Sequence, residues 1–136
     1  MENIIKSAFV VLLLGTFMLP IGGVFAATLV GTDSDDVIKG TLENDNIQGL
    51  KGNDTLNGGD GGNDHLNGGV GNDRLFGEGD VSEEEAGEDM LIGGPGDDTL
   101  YGGQKGDFFN CGPDNDTISD FNQGEGDKKT NDCENF

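Results

Sequence analysis

Nine aspartates share one place in a nine-residue unit. Asp36, Asp45, Asp54, Asp64, Asp73, Asp89, Asp98, Asp107 and Asp116 each stand at its sixth position. A carboxylate is a hard anionic oxygen donor, and a regular row of them suits a hard cation such as calcium better than a thiophilic metal. Carboxylates alone do not complete a calcium shell, so the rest must come from neutral oxygens. The residues ahead of each aspartate are rich in glycine. The clearest units are Gly68-Gly69-Val70-Gly71-Asn72-Asp73-Arg74-Leu75-Phe76 and Gly93-Gly94-Pro95-Gly96-Asp97-Asp98-Thr99-Leu100-Tyr101. Glycine allows positive φ and close backbone approach, so such a stretch can form a tight turn with carbonyls aimed inward. Carbonyls near Gly49, Gly52, Gly68, Gly71, Gly93 and Gly96 are expected to complete the shell.

The elements that position these oxygens follow from the second fixed place. Two residues after each aspartate comes an apolar side chain: Ile38, Ile47, Leu56, Leu66, Leu75, Leu91, Leu100, Phe109 and Ile118. The last three residues of each unit then read as a very short strand whose middle side chain points inward. Units stacked on alternating sides of a flattened helix, with a full coil every two repeats, give an all-β fold.

The unit resembles the hemolysin-type (RTX) calcium-binding nonapeptide repeat, over roughly Gly31 to Ser119. That resemblance implies a right-handed parallel β-roll, with calcium held between turns stacked on the same side. One side would carry Asp36, Asp54, Asp73, Asp98 and Asp116, and the other Asp45, Asp64, Asp89 and Asp107. Departures from the pattern bear on the number of ions. Ser34 and Glu43 replace glycine in the first two turns, which predicts weaker sites or an N-terminal cap there. One extra residue falls among Asp60, Gly61 and Gly62, and Lys105 and Cys111 stand at glycine positions. A seven-residue insertion around Asp80 to Ala86 is expected to leave the roll as a surface loop and to disturb the turn at Asp89. Roughly four to six calcium ions are expected.

Composition agrees with a cation-dependent fold. The 136 residues carry 27 acidic and 7 basic side chains, a formal net charge of -20, and 26 glycines with no tryptophan. Such a chain has few apolar groups with which to offset chain entropy, so calcium is expected to be part of folding. An acidic field repels phosphate, which excludes nucleic acid as a partner. His65 has no second histidine with which to build a zinc or catalytic set. No serine sits in a nucleophile elbow, and the repeat already accounts for paired acids such as Asp97-Asp98. The chain reads as a non-enzyme.

Residues 1–26 read as a secretory signal peptide. Lys6 precedes an apolar run from Ala8 to Phe25, with small residues placed for cleavage after Ala26; a retained anchor is the alternative reading. Cleavage would leave no stable membrane span and a secreted product, free or at a cell surface. Residues 27–119 form the repeat roll and residues 120–136 a C-terminal cap, with Phe108, Phe109 and Phe121 available to cover the last apolar layer and Phe136 a weaker candidate. Cys111 and Cys133 are the two cysteines. Export favours a disulfide between them, with free thiols or a metal pair as the alternative. On the outside of the roll, Phe76 and Tyr101 fall at the same outward position, and Met90, Ile92 and Phe108 project similarly on the opposite side. Cross-strand packing explains such residues; a contact patch for a cell surface, a glycan or a second copy is the functional reading. Two roles follow: a structural or adhesion module that folds on calcium, or an accessory or remnant module of a secreted hydrolase or toxin system.

Overall fold

The computed structural model describes residues 26–79, 82 and 84–134, so the expected signal segment, apart from Ala26, lies outside the described residues, as do Asp80, Glu83 and Phe136. Eleven strands follow one another: β1 Thr28–Val30, β2 Val37–Lys39, β3 Asn46–Lys51, β4 Thr55–Gly59, β5 His65–Val70, β6 Arg74–Glu78, β7 Met90–Ile92, β8 Thr99–Tyr101, β9 Phe108–Asn110, β10 Thr117–Ile118 and β11 Lys128–Lys129. They form two parallel sheets. Sheet A has the order β1-β3-β5-β7-β9-β11 and sheet B the order β10-β8-β6-β4-β2. Consecutive strands therefore alternate between sheets, and each coil of this β-solenoid takes two repeats, as the spacing predicts.

Register places like residues above one another. Ile47 pairs with Leu66, Leu66 with Leu91 and Leu91 with Phe109 in sheet A. Ile38, Leu56, Leu75, Leu100 and Ile118 form the matching row in sheet B. All nine inward side chains are buried. With only one inward side chain per strand, the core is a double file of residues between two sheets.

The solenoid is longer at both ends than the repeats suggest. Leu29 on β1 joins the core ahead of the first glycine turn. At the other end β11 pairs with β9, which puts Lys129 above Phe109 where an apolar residue stands elsewhere. The long side chain reaches back to the Cys133 carbonyl at 3.2 Å. Cys111 and Cys133 form a disulfide with both residues buried, closing 22 residues of chain over this end. Phe121 meets Phe109 edge to face at 6.3 Å. Phe108, expected both as a cap candidate and among the outward residues with Met90 and Ile92, lies on the outward side of β9, because the period-two alternation turns it away from its buried neighbour Phe109.

Candidate metal centre

The turns that join the strands lie along two edges. Those before β2, β4, β6, β8 and β10 make a first edge, carrying Asp36, Asp54, Asp73, Asp98 and Asp116. Those before β3, β5, β7 and β9 make a second edge, carrying Asp45, Asp64, Asp89 and Asp107. A tenth turn on the second edge carries Asp127, which spacing did not reveal because the residue two places on is Lys129.

All ten of these aspartates are buried, and each edge is zipped by them in one direction. The backbone N–H of Asp36 donates to Oδ1 of Asp54 at 2.8 Å, that of Asp54 to Asp73 at 2.7 Å, that of Asp73 to Asp98 at 2.7 Å and that of Asp98 to Asp116 at 2.9 Å. The second edge repeats the rule from Asp45 to Asp64, Asp89, Asp107 and Asp127. A neighbouring ladder runs the other way. Asn53 N–H donates to Asp35 Oδ1, Asn72 to Asn53, Asp97 to Asn72 and Asn115 to Asp97, at 2.8 to 3.1 Å. These fifth-position residues were missed by sequence reasoning. Their signal was present: Asn or Asp fills seven of the nine fifth positions, at 35, 44, 53, 63, 72, 97 and 115.

From Asp54 on the first edge and Asp64 on the second, one oxygen of each carboxylate is thus spoken for, and the other is the informative one. Oδ2 of Asp54, Asp64, Asp73, Asp89, Asp98 and Asp107 is buried without a hydrogen-bond donor. A second acceptor stands nearby. A Cβ built on Gly49 would collide with both Asp54 Oδ2 and the Gly68 carbonyl oxygen, and one on Gly58 with Asp64 Oδ2 and the Gly77 carbonyl oxygen. Gly77 has the same pair in Asp89 and Gly102, and Gly93 in Asp98 and Cys111. Oxygens that face each other in a buried space without a proton between them repel, and burying a carboxylate unpaired is costly. Among the described residues no three acidic, histidine or cysteine side chains converge as a metal cluster. Any cation must therefore take its ligands from one or two carboxylates and from backbone carbonyls, a hard all-oxygen set that fits calcium.

The same strain shows in acidity. Burial, opposed by the backbone N–H bond and aided by neighbouring acids, raises the carboxyls of Asp54 and Asp64 to about 6. Burial likewise raises Asp89 and Asp98 to about 7 and Asp107 to about 8.

The first two turns solve the problem differently. Asp36 Oδ2 accepts from both the backbone N–H and the hydroxyl of Thr32, and Asp45 Oδ2 accepts from the Thr41 N–H. Threonine donors satisfy the second carboxylate oxygen there, at one end of the solenoid. The insertion before β7 has a buried anchor of its own. Glu78, at a glycine position, is buried and accepts the N–H of Gly87 at 3.0 Å and that of Gln104 at 2.7 Å. Lys105 holds positive φ at 74° and donates its ammonium to the Ala86 carbonyl. With the loop tied down in this way, Asp89 keeps the hydrogen bond, burial and orphan oxygen of its neighbours.

The family model for the RTX calcium-binding nonapeptide repeat matches residues 30–61, 59–81 and 85–118, more than half of the chain. The chain belongs to the RTX calcium-binding nonapeptide-repeat family. Its repeats form a calcium-binding structural module, and no feature of that family or of this fold supplies positive evidence of catalysis. No curated protein and no solved structure matches the chain.

Proposed function

We propose that this RTX chain is a secreted structural module, serving adhesion or surface contact, whose fold is completed by calcium outside the cell. The observation that carries the reading is the set of six buried Oδ2 atoms without donors, on Asp54, Asp64, Asp73, Asp89, Asp98 and Asp107. On the first edge the stacked turns of Asp54, Asp73, Asp98 and Asp116 bound three intervals, and on the second those of Asp64, Asp89 and Asp107 bound two. Those five intervals are the proposed sites. The intervals below Asp54 and Asp64 are excluded, since Thr32 and Thr41 already satisfy the oxygens there. Calcium when bound supplies the positive charge that these oxygens lack. The chain's own residues hold the shell open: leading glycines leave room for Oδ2, and the N–H bonds to Oδ1 fix each carboxylate's direction.

Release into a calcium-rich, oxidising compartment is supported by the buried Cys111–Cys133 disulfide and by the apolar N-terminal run. The test is a calcium titration followed by circular dichroism and light scattering. A chelated protein with little β structure that gains it on calcium, binding about five ions, is expected. An unchanged, already β-rich spectrum in chelator would rule the reading out. Rising scatter alongside folding would add calcium-driven assembly to the role.

A further inference from the structure

The outward face of sheet B carries a cleft that calcium binding does not use. Register stacks Asn57 on Phe76 and Phe76 on Tyr101. The two rings lie 6.2 Å apart with a 47° tilt. Glu78 and Gln104 flank them, and together these residues line a cavity of about 360 Å³. Packing between strands accounts for the ring pair. It does not account for Asn57 Oδ1, which is buried beside the rings with no hydrogen-bond donor. A buried amide oxygen without a donor is costly, and a ligand bearing a hydroxyl would supply one.

We propose that this cleft binds one neutral sugar ring of a glycan. A pyranose offers both things the cleft lacks: hydroxyl donors for Asn57 Oδ1, and a C–H face to lie on Phe76 and Tyr101. The volume is near the lower end for ligand pockets and suits a single ring. Charge selects a neutral ligand. The net charge of -20 disfavours an anion. Glu78 does not call for a cation, because its two oxygens already accept the N–H groups of Gly87 and Gln104. Those bonds also tie the cleft wall to the insertion and to the turn after β8, so the site is formed before the ligand arrives.

Tyr101 is the sole tyrosine and the chain has no tryptophan, so intrinsic fluorescence reports on this cleft alone. The full chain in calcium is titrated with methyl glucoside, galactoside and mannoside and with neutral oligosaccharides built from them. A saturable change in tyrosine emission with at least one of them is expected. Phe76→Ala and Asn57→Leu are expected to weaken it by about tenfold, the loss of one good contact. Circular dichroism on the same samples separates this outcome from a failure of calcium folding. If Phe76→Ala does not fold, Asn57→Leu decides. Silence with every neutral sugar overturns the proposal. So does a response to methylammonium alone, or a response that survives both substitutions. A dimer that disappears in Phe76→Ala, without any sugar response, assigns the face to self-association instead.

Discussion

The backbone N–H of Asp36 donates to Oδ1 of Asp54 at 2.8 Å, while Oδ2 of the same Asp54 carboxylate is buried with no donor and borders, with the Gly68 carbonyl oxygen, the space that a Cβ on Gly49 would fill. Half of the side chain therefore serves the backbone, and the other half is left without a donor. Under the proposed function that division separates structural from metal-binding work within one residue, and it can be taken apart by mutation.

Asp54→Asn keeps an acceptor for the Asp36 N–H and replaces Oδ2 by an amide that can donate to the Gly68 carbonyl. The variant should bind fewer calcium ions yet fold at lower calcium, gaining about 1 kcal/mol in chelator for one satisfied bond. Asp54→Ala, which loses both functions, should need more calcium than the parent. Equilibrium dialysis and circular dichroism read the two quantities. Full ion stoichiometry in Asp54→Asn would remove Asp54 from the ligand set.

Gly49→Ala should destabilise the calcium-loaded form by roughly 1–3 kcal/mol, the usual cost of overpacking. Its Cβ would occupy the space now held by Asp54 Oδ2 and the Gly68 carbonyl oxygen. Gly124→Ala makes a fair control, because the nearest atom to its new Cβ is Asn122 Oδ1 at 3.1 Å on an exposed turn. Chemical denaturation in calcium should show the first and not the second.

Acid should substitute in part for calcium. Asp89, Asp98 and Asp107 titrate at about 7, 7 and 8 in the folded chain against an ordinary 3.8. Between 3.8 and about 8 the folded state therefore binds more protons than the unfolded state, so stability falls as pH rises through that window. Chelated protein should hold more β structure near the acid end of this window than at its alkaline end, and calcium binding near neutrality should release protons. A β content in chelator that grows with pH would contradict the raised acidities.

The Cys111–Cys133 bridge closes a 22-residue span over the last coil. Replacing both cysteines by serine should cost about 3 kcal/mol in the chain-entropy model. Hydrogen exchange should quicken first at β9 to β11 and leave β4 to β6 protected. Intact mass without reduction should be two hydrogens below that of the reduced chain; an equal mass would mean free thiols.

Much of the fold was legible because two demands recur at fixed spacing. An acid at the sixth place and an apolar residue at the eighth, from Asp36-Ile38 to Asp116-Ile118, set the strand, its inward face and the alternation of edges. What escaped was chemistry that breaks or lacks that pattern. Asp127 is followed by Lys129, whose polar end finds the Cys133 carbonyl, so the last strand carries no apolar mark. Leu29 precedes any glycine turn. Thr32 and Thr41 look like ordinary turn residues until their N–H and hydroxyl groups are seen on Asp36 and Asp45. Glu78 reads as one more surface acid, and its burial depends on N–H groups from Gly87 and Gln104, far from it in the chain. The Thr32–Asp36, Thr41–Asp45 and Lys129–Cys133 pairs are local but stand at the ends of the stack and so leave no recurring mark, whereas the partners of Glu78 are set by the folded coil.

Strand β1 lies at one end of sheet A and β11 at the other, five inter-strand spacings or about 24 Å away. Tension applied to the two ends of the repeat therefore runs along the stack, loading its rungs in series. Rungs in series give way one at a time. The molecule should extend as a compliant spring, shedding a coil per step and retaking it when slack returns, with extracellular calcium setting its stiffness. Single-molecule pulling should show a staircase that flattens in chelator; one cooperative rupture would mean that the coils hold together as a block.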